Sequence, residues 1–488
     1  MKFFKNFFLV GKTLYVREHD NGTDFEREFE VNPKLYIESL AGTTTDIHGR
    51  TLKEVQFDSP KDARKFAQTI TNKVVCGFDR FAYVEVNKMY SNDYDIKKIK
   101  IVSIDIENNI DDISGFPNVE TANCPINAIS ISFKGTLFQF TTVDGENSDP
   151  DVRLTKCKTE KELLTRFMKI YCMIMPDIIT GWNTNGYDIP FLITRIHDVC
   201  GKDVMKKLSP FGIVKTKKVV DENGRDSFEN EIAGIALLDY LDLYKKFRLI
   251  TRESYKLDFI AKVELKDKKV EYEGSFRDLY RNHPSLFLSY NAHDTRLIDR
   301  LEKKLAMIQL VIDIAYIAKC NYEDVLKNSR VWDIIIANYL SNKNVQVPYS
   351  KSGDGSGDAY EGAFVKDPLR GCYKWGASFD ATSLYPSVII GWNISPETVV
   401  PKELWPTIRP MDIVDRNETY TNAKIVADRF DATLCGNGAM FKTDKDGFIP
   451  TLAEMMFDKR KEAKNIMLDW QNKLEAINLE INNRKGTT

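Results

Sequence analysis

Apolar positions along this chain change their period several times, and each change marks an element. Runs at 14–16 and 25–31, the second alternating apolar with charged residues at its end, flank Asp20-Asn21-Gly22. Asparagine and glycine accept positive φ, so this stretch predicts a β-hairpin. Residues 60–71 have helical spacing, with Ser59 placed as a cap and Pro60 in the first turn. The run Ile101-Val102-Ser103-Ile104-Asp105-Ile106-Glu107 is rich in β-branched residues and predicts a buried strand. Strands are expected next at 128–133 and 137–142, then an amphipathic helix over 160–175 ended by Pro176. The run from Asp177 reads as a strand that breaks at Gly181, with a helix starting near Asp188. Strands interleaved with helices in this way are the pattern of an α/β domain.

Farther on, 214–220 predicts a lysine-bearing strand, Glu222-Asn223-Gly224-Arg225 a hairpin turn, and 232–238 the return strand. Helical spacing covers 286–305, the stretch from about 306 to 368 is largely helical before it loosens, and the run 350–358 within it predicts a flexible loop. Residues 377–380 read as a strand closing on Asp380, followed by a tight turn and a helix over 387–391. After Gly447, apolar residues at Leu452, Met456, Ala463, Met467, Trp470, Leu474, Ile477 and Ile481 form a helical stripe. That helix, from Thr451 to Arg484, has about 34 residues and a length of roughly 50 Å.

Composition narrows the class. A length of 488 residues suffices for about three domains, and 43% hydrophobic with 29% charged residues is a globular balance. No apolar run is long enough to span a membrane. The opening Met1-to-Lys12 run is interrupted by Lys5 and Asn6 and reads as a strand rather than a signal peptide. Eight scattered cysteines argue against zinc and a disulfide framework and fit a reducing cytosol, and five histidines argue against a histidine-based metal centre. The formal net charge of −2 carries no nucleic-acid signature. Acids gathered for metal and lysines gathered for phosphate would also sum to near zero, so bulk charge decides nothing.

Candidate chemistry starts with Asp105 and Glu107. Side chains alternate along a strand, so both emerge on one face. Two carboxylates on an apolar strand lose hydration, a cost relieved if they grip a divalent cation; hard oxygen ligands suit Mg²⁺ or Mn²⁺. Alone, the pair reads equally well as solvated acids on an edge strand. Asp188 alone reads as a helix N-cap, and Asp239 and Asp242 as caps or solvated acids. Tyr290 and Asp294 lie four apart and share one helix face, which alone is an ordinary tyrosine contact beside a surface acid.

Taken in order, Asp105-x-Glu107, Asn183 with Tyr187-Asp188, and Tyr290-x3-Asp294 resemble the three exonuclease motifs of the RNase H-like (DnaQ-like) 3′→5′ proofreading fold, in its family-B polymerase version. The resemblance implies that Asp105, Glu107, Asp188 and Asp294 hold two metal ions, that Tyr290 orients the attacking water, and that Asn183 and Tyr187 contact DNA. Tyr360-Glu361-Gly362-Ala363-Phe364 resembles the tyrosine-x-glycine motif joining exonuclease and polymerase modules, with Ala363 where a second glycine is common. The run Asp380-Ala381-Thr382-Ser383-Leu384-Tyr385-Pro386-Ser387 is similar to family-B motif A. It implies Asp380 as a ligand of the polymerase metals, backbone amides of Ser383, Leu384 and Tyr385 as the triphosphate cradle, and Tyr385 as the residue that excludes a ribose 2′-hydroxyl. Arg460 and Lys464, one turn apart, resemble the fingers residues that grip incoming nucleotide; a solvated basic face is the alternative.

By these motifs the chain is identified as a member of the family-B replicative DNA polymerases, of the large tailed-phage type. The implied architecture is α/β and multidomain. A mixed α+β N-terminal domain covers 1–100, the exonuclease 101–305, a return to the N-terminal domain and linker 306–368, a partial palm 369–446, and the first fingers helix 447–488. A returning lysine helix and a Tyr-x-Asp-Thr-Asp motif do not occur in this sequence. The expectation is a complete exonuclease with half a polymerase site, completed by a second chain carrying the remaining fingers, palm and thumb; a shortened longer polymerase would look the same. Implied partners are primer-template DNA, single-stranded 3′ ends, dNTP and a sliding clamp, with no membrane, in the cytoplasm (of the host, if viral). The Glu222–Arg225 turn, after Lys217 and Lys218, is expected by the same resemblance to help part primer from template. Two other classes stay open at this point, a stand-alone exonuclease in repair or degradation and a non-catalytic nucleic-acid-binding subunit.

Overall fold

The computed structural model describes residues 1–111, 115, 117–220, 226–267, 275–350, 368–380 and 383–485. The chain forms two compact units. The first comprises Met1–Leu35, Val55–Thr71 and Phe78–Tyr339; the second comprises Tyr36–Glu54, Asn72–Gly77 and Leu340–Thr488. Among the described residues no helix is long and apolar enough to cross a membrane.

The first unit opens with an antiparallel meander, β1 (Lys2–Val10), β2 (Thr13–Asp20) and β3 (Thr23–Glu30). The expected turn joins β2 to β3, with Asn21 at φ 48° and Gly22 at φ 94°. Phe4, Phe7, Leu14 and Val16 are buried on one face and Phe3 on the other. Helix α1 (Pro60–Thr69) is capped as expected, the Ser59 side chain accepting from the Asp62 N–H, and it ends two residues before the sequence pattern does.

The region expected to be an exonuclease is built on β4 (Ile101–Asn108), β5 (Ile126–Phe133), β6 (Thr136–Thr141), β7 (Val152–Lys156), helix α2 (Glu160–Ile174), β8 (Ile178–Thr180) and helix α3 (Asp188–Cys200). Next come β9 (Val214–Val220), β10 (Asp226–Ile232) and β11 (Ala236–Leu237). The main sheet runs β7-β6-β5-β4-β8-β11, with β5 antiparallel to its neighbours β4 and β6, and with β8 and β11 running parallel to β4. Helix α2 stops where Met175 turns left-handed at φ 44°, just before Pro176. One core of Val102, Ile104, Ile131, Phe167, Phe191 and Ile196 joins sheet and helices.

One strand assignment here needs correction. The partner of β9 is β10, paired from Val214↔Ile232 to Val220↔Asp226, not 232–238. The polar sequence of β10 hides it from an apolar pattern, because cross-strand pairing rather than burial holds it. Most of the 232–238 run instead makes a turn and then β11, at the edge of the main sheet. The Glu222–Arg225 turn itself lies outside the described residues.

An ion cluster ties the meander to this sheet. Asp177, just before β8, is fully buried; its Oδ2 accepts from Lys5 Nζ at 2.9 Å and from the Lys100 N–H at 2.8 Å. Arg17 Nη1 donates to the carbonyls of Pro176 (2.7 Å) and Gly234 (2.9 Å). Its Nη2 stands 3.0 Å from Asp177 Oδ1 as an ion pair. Helices α4 (Tyr240–Phe247), α5 (Leu257–Leu265) and α6 (Pro284–Leu305) complete the part of the first unit that matters for the site.

A further sheet, most of whose residues belong to the second unit, runs in the order 345–346, 44–46, 51–56, 34–38, 75–76. The strand expected at 377–380 is not formed: the segment has no regular structure, with Phe379 94% exposed. A strand needs a neighbour to take its backbone hydrogen bonds, and none of the described residues supplies one. The following helix α7 (Leu384–Trp392) starts three residues earlier than its sequence pattern. Asn393, at φ 54°, donates its amide to the carbonyls of Lys442 and Lys445 and accepts from the Gly447 N–H, fixing the start of α8 (Phe448–Lys485). The long final helix is therefore present, with Met467, Trp470, Leu474, Ile477 and Ile481 of its stripe exposed. The 351–358 loop and the Tyr360–Phe364 motif lie outside the described residues.

Candidate active site

Strand β4 delivers the first two acids. Ile104, Ile106 and Asn108 are buried while Asp105 and Glu107 are half-buried, so the pair shares the opposite face, as alternation requires. Asp188 is the first residue of α3 rather than its cap. The cap position belongs to Tyr187, whose side chain makes no capping bond. The Asp188 carboxylate instead crosses to β4, its Oδ1 accepting from the Ile106 N–H at 3.0 Å. Burial pushes Asp188 up to about 7 against that N–H, and the Asp239 charge adds to the rise.

The loop between β8 and α3 passes so close to β4 that a Cβ on Gly181 would sit 2.5 Å from the Ile104 carbonyl oxygen. Only glycine fits that crossing. Asn183 then turns left-handed at φ 63°. The loop is held by Asp239, which accepts from the backbone N–H groups of Asn183 (2.9 Å) and Asn185 (3.0 Å) while capping α4 through Leu241. The cap reading of Asp239 holds, but the residue is buried rather than solvated, and burial followed by the charge of Asp242 pushes it up to about 6. Its hold on the Asn183 loop was not legible as spacing; the one signal was an acid inside the apolar run Leu237-Leu238-Asp239-Tyr240-Leu241.

Helix α6 brings Tyr290 and Asp294 to the same place. All seven residues expected for the exonuclease line one cavity of about 670 Å³: Asp105, Glu107, Asp188, Tyr290 and Asp294, with Asn183 and Tyr187. Tyr187 Oη donates to Asn108 Oδ1 at 2.6 Å, and its ring stacks with Phe191 at 5.6 Å. The start of α5 adds Lys256 and Asp258, which sequence reasoning missed because neither belongs to a spaced motif. Five carboxylates against one lysine make a hard-oxygen donor set, the type that suits a divalent cation. Among the described residues, no three such side chains are yet drawn together into a coordination cluster.

The second expected site lies in the second unit. Ser383 is the left-handed cap of α7, and Arg460 Nη1 of α8 donates to its Oγ at 3.1 Å. Two residues expected to meet a nucleotide are thus neighbours across 77 positions. Asp380, Leu384, Tyr385 and Lys464 are exposed.

Residues 43–260 match the model for DNA polymerase family B, exonuclease domain, and residues 322–484 match the model for DNA polymerase family B. The chain belongs to the family-B DNA polymerases, carrying both exonuclease and polymerase domains. It is similar to the DNA-directed DNA polymerase of Escherichia phage RB69, at 33% identity over 98% of this chain and 56% of that protein. The corresponding polymerase of Enterobacteria phage T4 is 29% identical over 96% of this chain and 54% of its own length. The DNA polymerase delta catalytic subunit of Plasmodium falciparum is 26% identical over 81% of this chain and 36% of its length. The chain spans about half the length of the two phage relatives.

Proposed function

We propose that the chain acts in DNA replication, its first unit being a 3′→5′ proofreading exonuclease and its second carrying the motif A half of a DNA polymerase site. The observation that carries the first reading is the convergence of Asp105, Glu107, Asp188 and Asp294 with Tyr290 on one cavity. Divalent ions, Mg²⁺ or Mn²⁺, would be held by those four acids, two per site; when bound they supply water activation and neutralise the charge on the departing 3′-oxygen. Tyr290 holds the attacking water, whose oxygen joins phosphorus as the bond to the 3′-oxygen breaks. Asn183 and Tyr187, on the loop fixed by Asp239, contact the DNA end. Substrates are primer-template DNA and single-stranded 3′ ends.

In the polymerase half, Asp380 is the metal-binding acid. The start of α7 at Ser383, Leu384 and Tyr385 receives the triphosphate of a dNTP on backbone N–H groups, as helix N-termini do. Arg460 and Lys464 neutralise it; the Arg460 contact to Ser383 supports this placement. The remaining fingers, palm and thumb come from a further segment, on this polypeptide or on a second chain, and a sliding clamp is a further partner.

The test is digestion of a 5′-labelled single-stranded oligonucleotide with Mg²⁺ or Mn²⁺. Asp105→Ala with Glu107→Ala should slow release from the 3′ end by roughly 10²-fold or more, with circular dichroism unchanged. Undiminished digestion refutes the exonuclease assignment. Primer extension by this chain, by a candidate partner and by their mixture tests the other half: extension only in the mixture, abolished by Asp380→Ala, supports completion by a second chain.

A further inference from the structure

We infer that Asn291 is a positioning residue of the exonuclease, holding Asp105 through its side-chain amide at the end of a buried relay; this rests on the exonuclease reading above. Asn291 lies on α6 between Tyr290 and Asp294 and is completely buried. Its Nδ2 donates to Asp105 Oδ2 at 2.7 Å. Its Oδ1 accepts twice, from the Ser130 hydroxyl of β5 and from Gln139 Nε2 of β6 at 2.9 Å.

Those two donors decide which way the amide faces. With the oxygen committed to Ser130 and Gln139, the N–H₂ has to point at Asp105. Gln139 is oriented in turn: its Nε2 also donates to the Leu288 carbonyl at 2.8 Å, and its Oε1 accepts from Asn147 Nδ2 at 2.9 Å. Ser130 and Gln139 are as completely buried as Asn291. Two strands and a helix thus fix one carboxylate oxygen of β4 through a donor that strengthens against negative charge. Outer partners of this kind orient a metal-binding carboxylate, and losing one weakens metal binding about 10- to 100-fold.

Merely docking α6 on the sheet does not require this relay. Asp299, two turns along, already accepts from Ser103 (2.6 Å) and Ser132 of the same sheet without touching Asp105. That separation supplies the control.

The experiment measures Mn²⁺ binding to the full chain without DNA, by electron paramagnetic resonance. The triple variant Ser130→Ala, Gln139→Leu, Asn291→Leu replaces the whole relay by apolar groups, so no donor or acceptor inside it is stranded. Its Kd for Mn²⁺ should rise roughly 10- to 100-fold, while Asp299→Asn stays within about twofold of the parent. Gln139→Leu alone, which frees the Asn291 amide to turn, should shift Kd in the same direction by less, and it carries the test if the triple variant does not fold. A relay variant that binds like the parent, or an equal loss in Asp299→Asn, overturns the inference. Asp105→Ala separates the two levels: if it abolishes a binding site that the relay variants leave intact, only the role of Asn291 fails. If Asp105→Ala changes nothing, or the parent binds no Mn²⁺, the exonuclease reading fails with it.

Discussion

Replacing Asp177 by alanine removes the one acid that two buried cations share. Lys5 and Asp177 have no exposed side-chain surface, and Arg17 is 4% exposed. After the change Lys5 keeps Asp24, whose Oδ1 is 2.8 Å away and which is partly solvated, while Arg17 keeps only carbonyl acceptors. The Lys100 N–H loses its acceptor at Asp177 Oδ2 as well. Breaking a buried pair from one side costs about 3–5 kcal/mol, because a charge is left uncompensated. A surface pair such as Lys473–Asp469 is worth about 0.3–0.5 kcal/mol. The two figures differ enough to be separated. A two-unit chain need not unfold in one step, so the measurement is native-state hydrogen exchange of the β4 and β8 amides, which reports the local free energy. Asp177→Ala should lower it by about 3 kcal/mol or more, and Asp469→Ala should leave it unchanged. Adding Lys5→Met to Asp177→Ala should recover about 1–2 kcal/mol, since Lys5, left with the partly solvated Asp24, no longer buries a charge. A loss below about 1 kcal/mol in the single variant, or no recovery in the double, would show that the cluster does not anchor the meander to the exonuclease sheet.

Three other outcomes are expected from the site. Asp239 has its carboxyl raised from an ordinary 3.8 to about 6, so the stability linked to it is full below about 3.8 and is lost as pH rises through 6. The size is on the order of 3 kcal/mol; denaturation at stepped pH should show a flatter profile for Asp239→Asn between pH 4 and pH 6.5, and parallel profiles would refute the linkage. Gly181→Ala forces a Cβ to within 2.5 Å of the Ile104 carbonyl oxygen, so the Asn183 loop has to shift. Exonuclease rate should fall by about tenfold or more, as misplacement of contact groups predicts, and an unchanged rate would mean the loop tolerates the shift. Arg460→Ala removes the cation beside Ser383. Calorimetric dNTP affinity should weaken by about tenfold, the scale of one charge-assisted hydrogen bond; equal affinity would place the triphosphate elsewhere.

The sequence by itself determined the elements whose causes are local. The Asn21-Gly22 turn, the Ser59 cap of α1, the halt of α2 at Pro176 and the alternation that puts Asp105 and Glu107 on one face each depend on a few adjacent residues. The residues proposed for the exonuclease site could be singled out for a related reason: their order and type are written in short motifs even though they are far apart in the chain. Tertiary structure decided whatever depends on a partner. The polar strand β10 exists because β9 lies beside it, and the segment before Asp380 is no strand among the described residues because nothing there pairs with it. Asp188, which alone resembled a helix cap, is turned toward the Ile106 N–H by the packing of α3 on β4. Asp239 holds the Asn183 loop, and Asn291 reaches Asp105 across 186 positions. A single side chain does not carry such assignments, because the energy of a buried polar group is set by the donor or acceptor that folding places next to it.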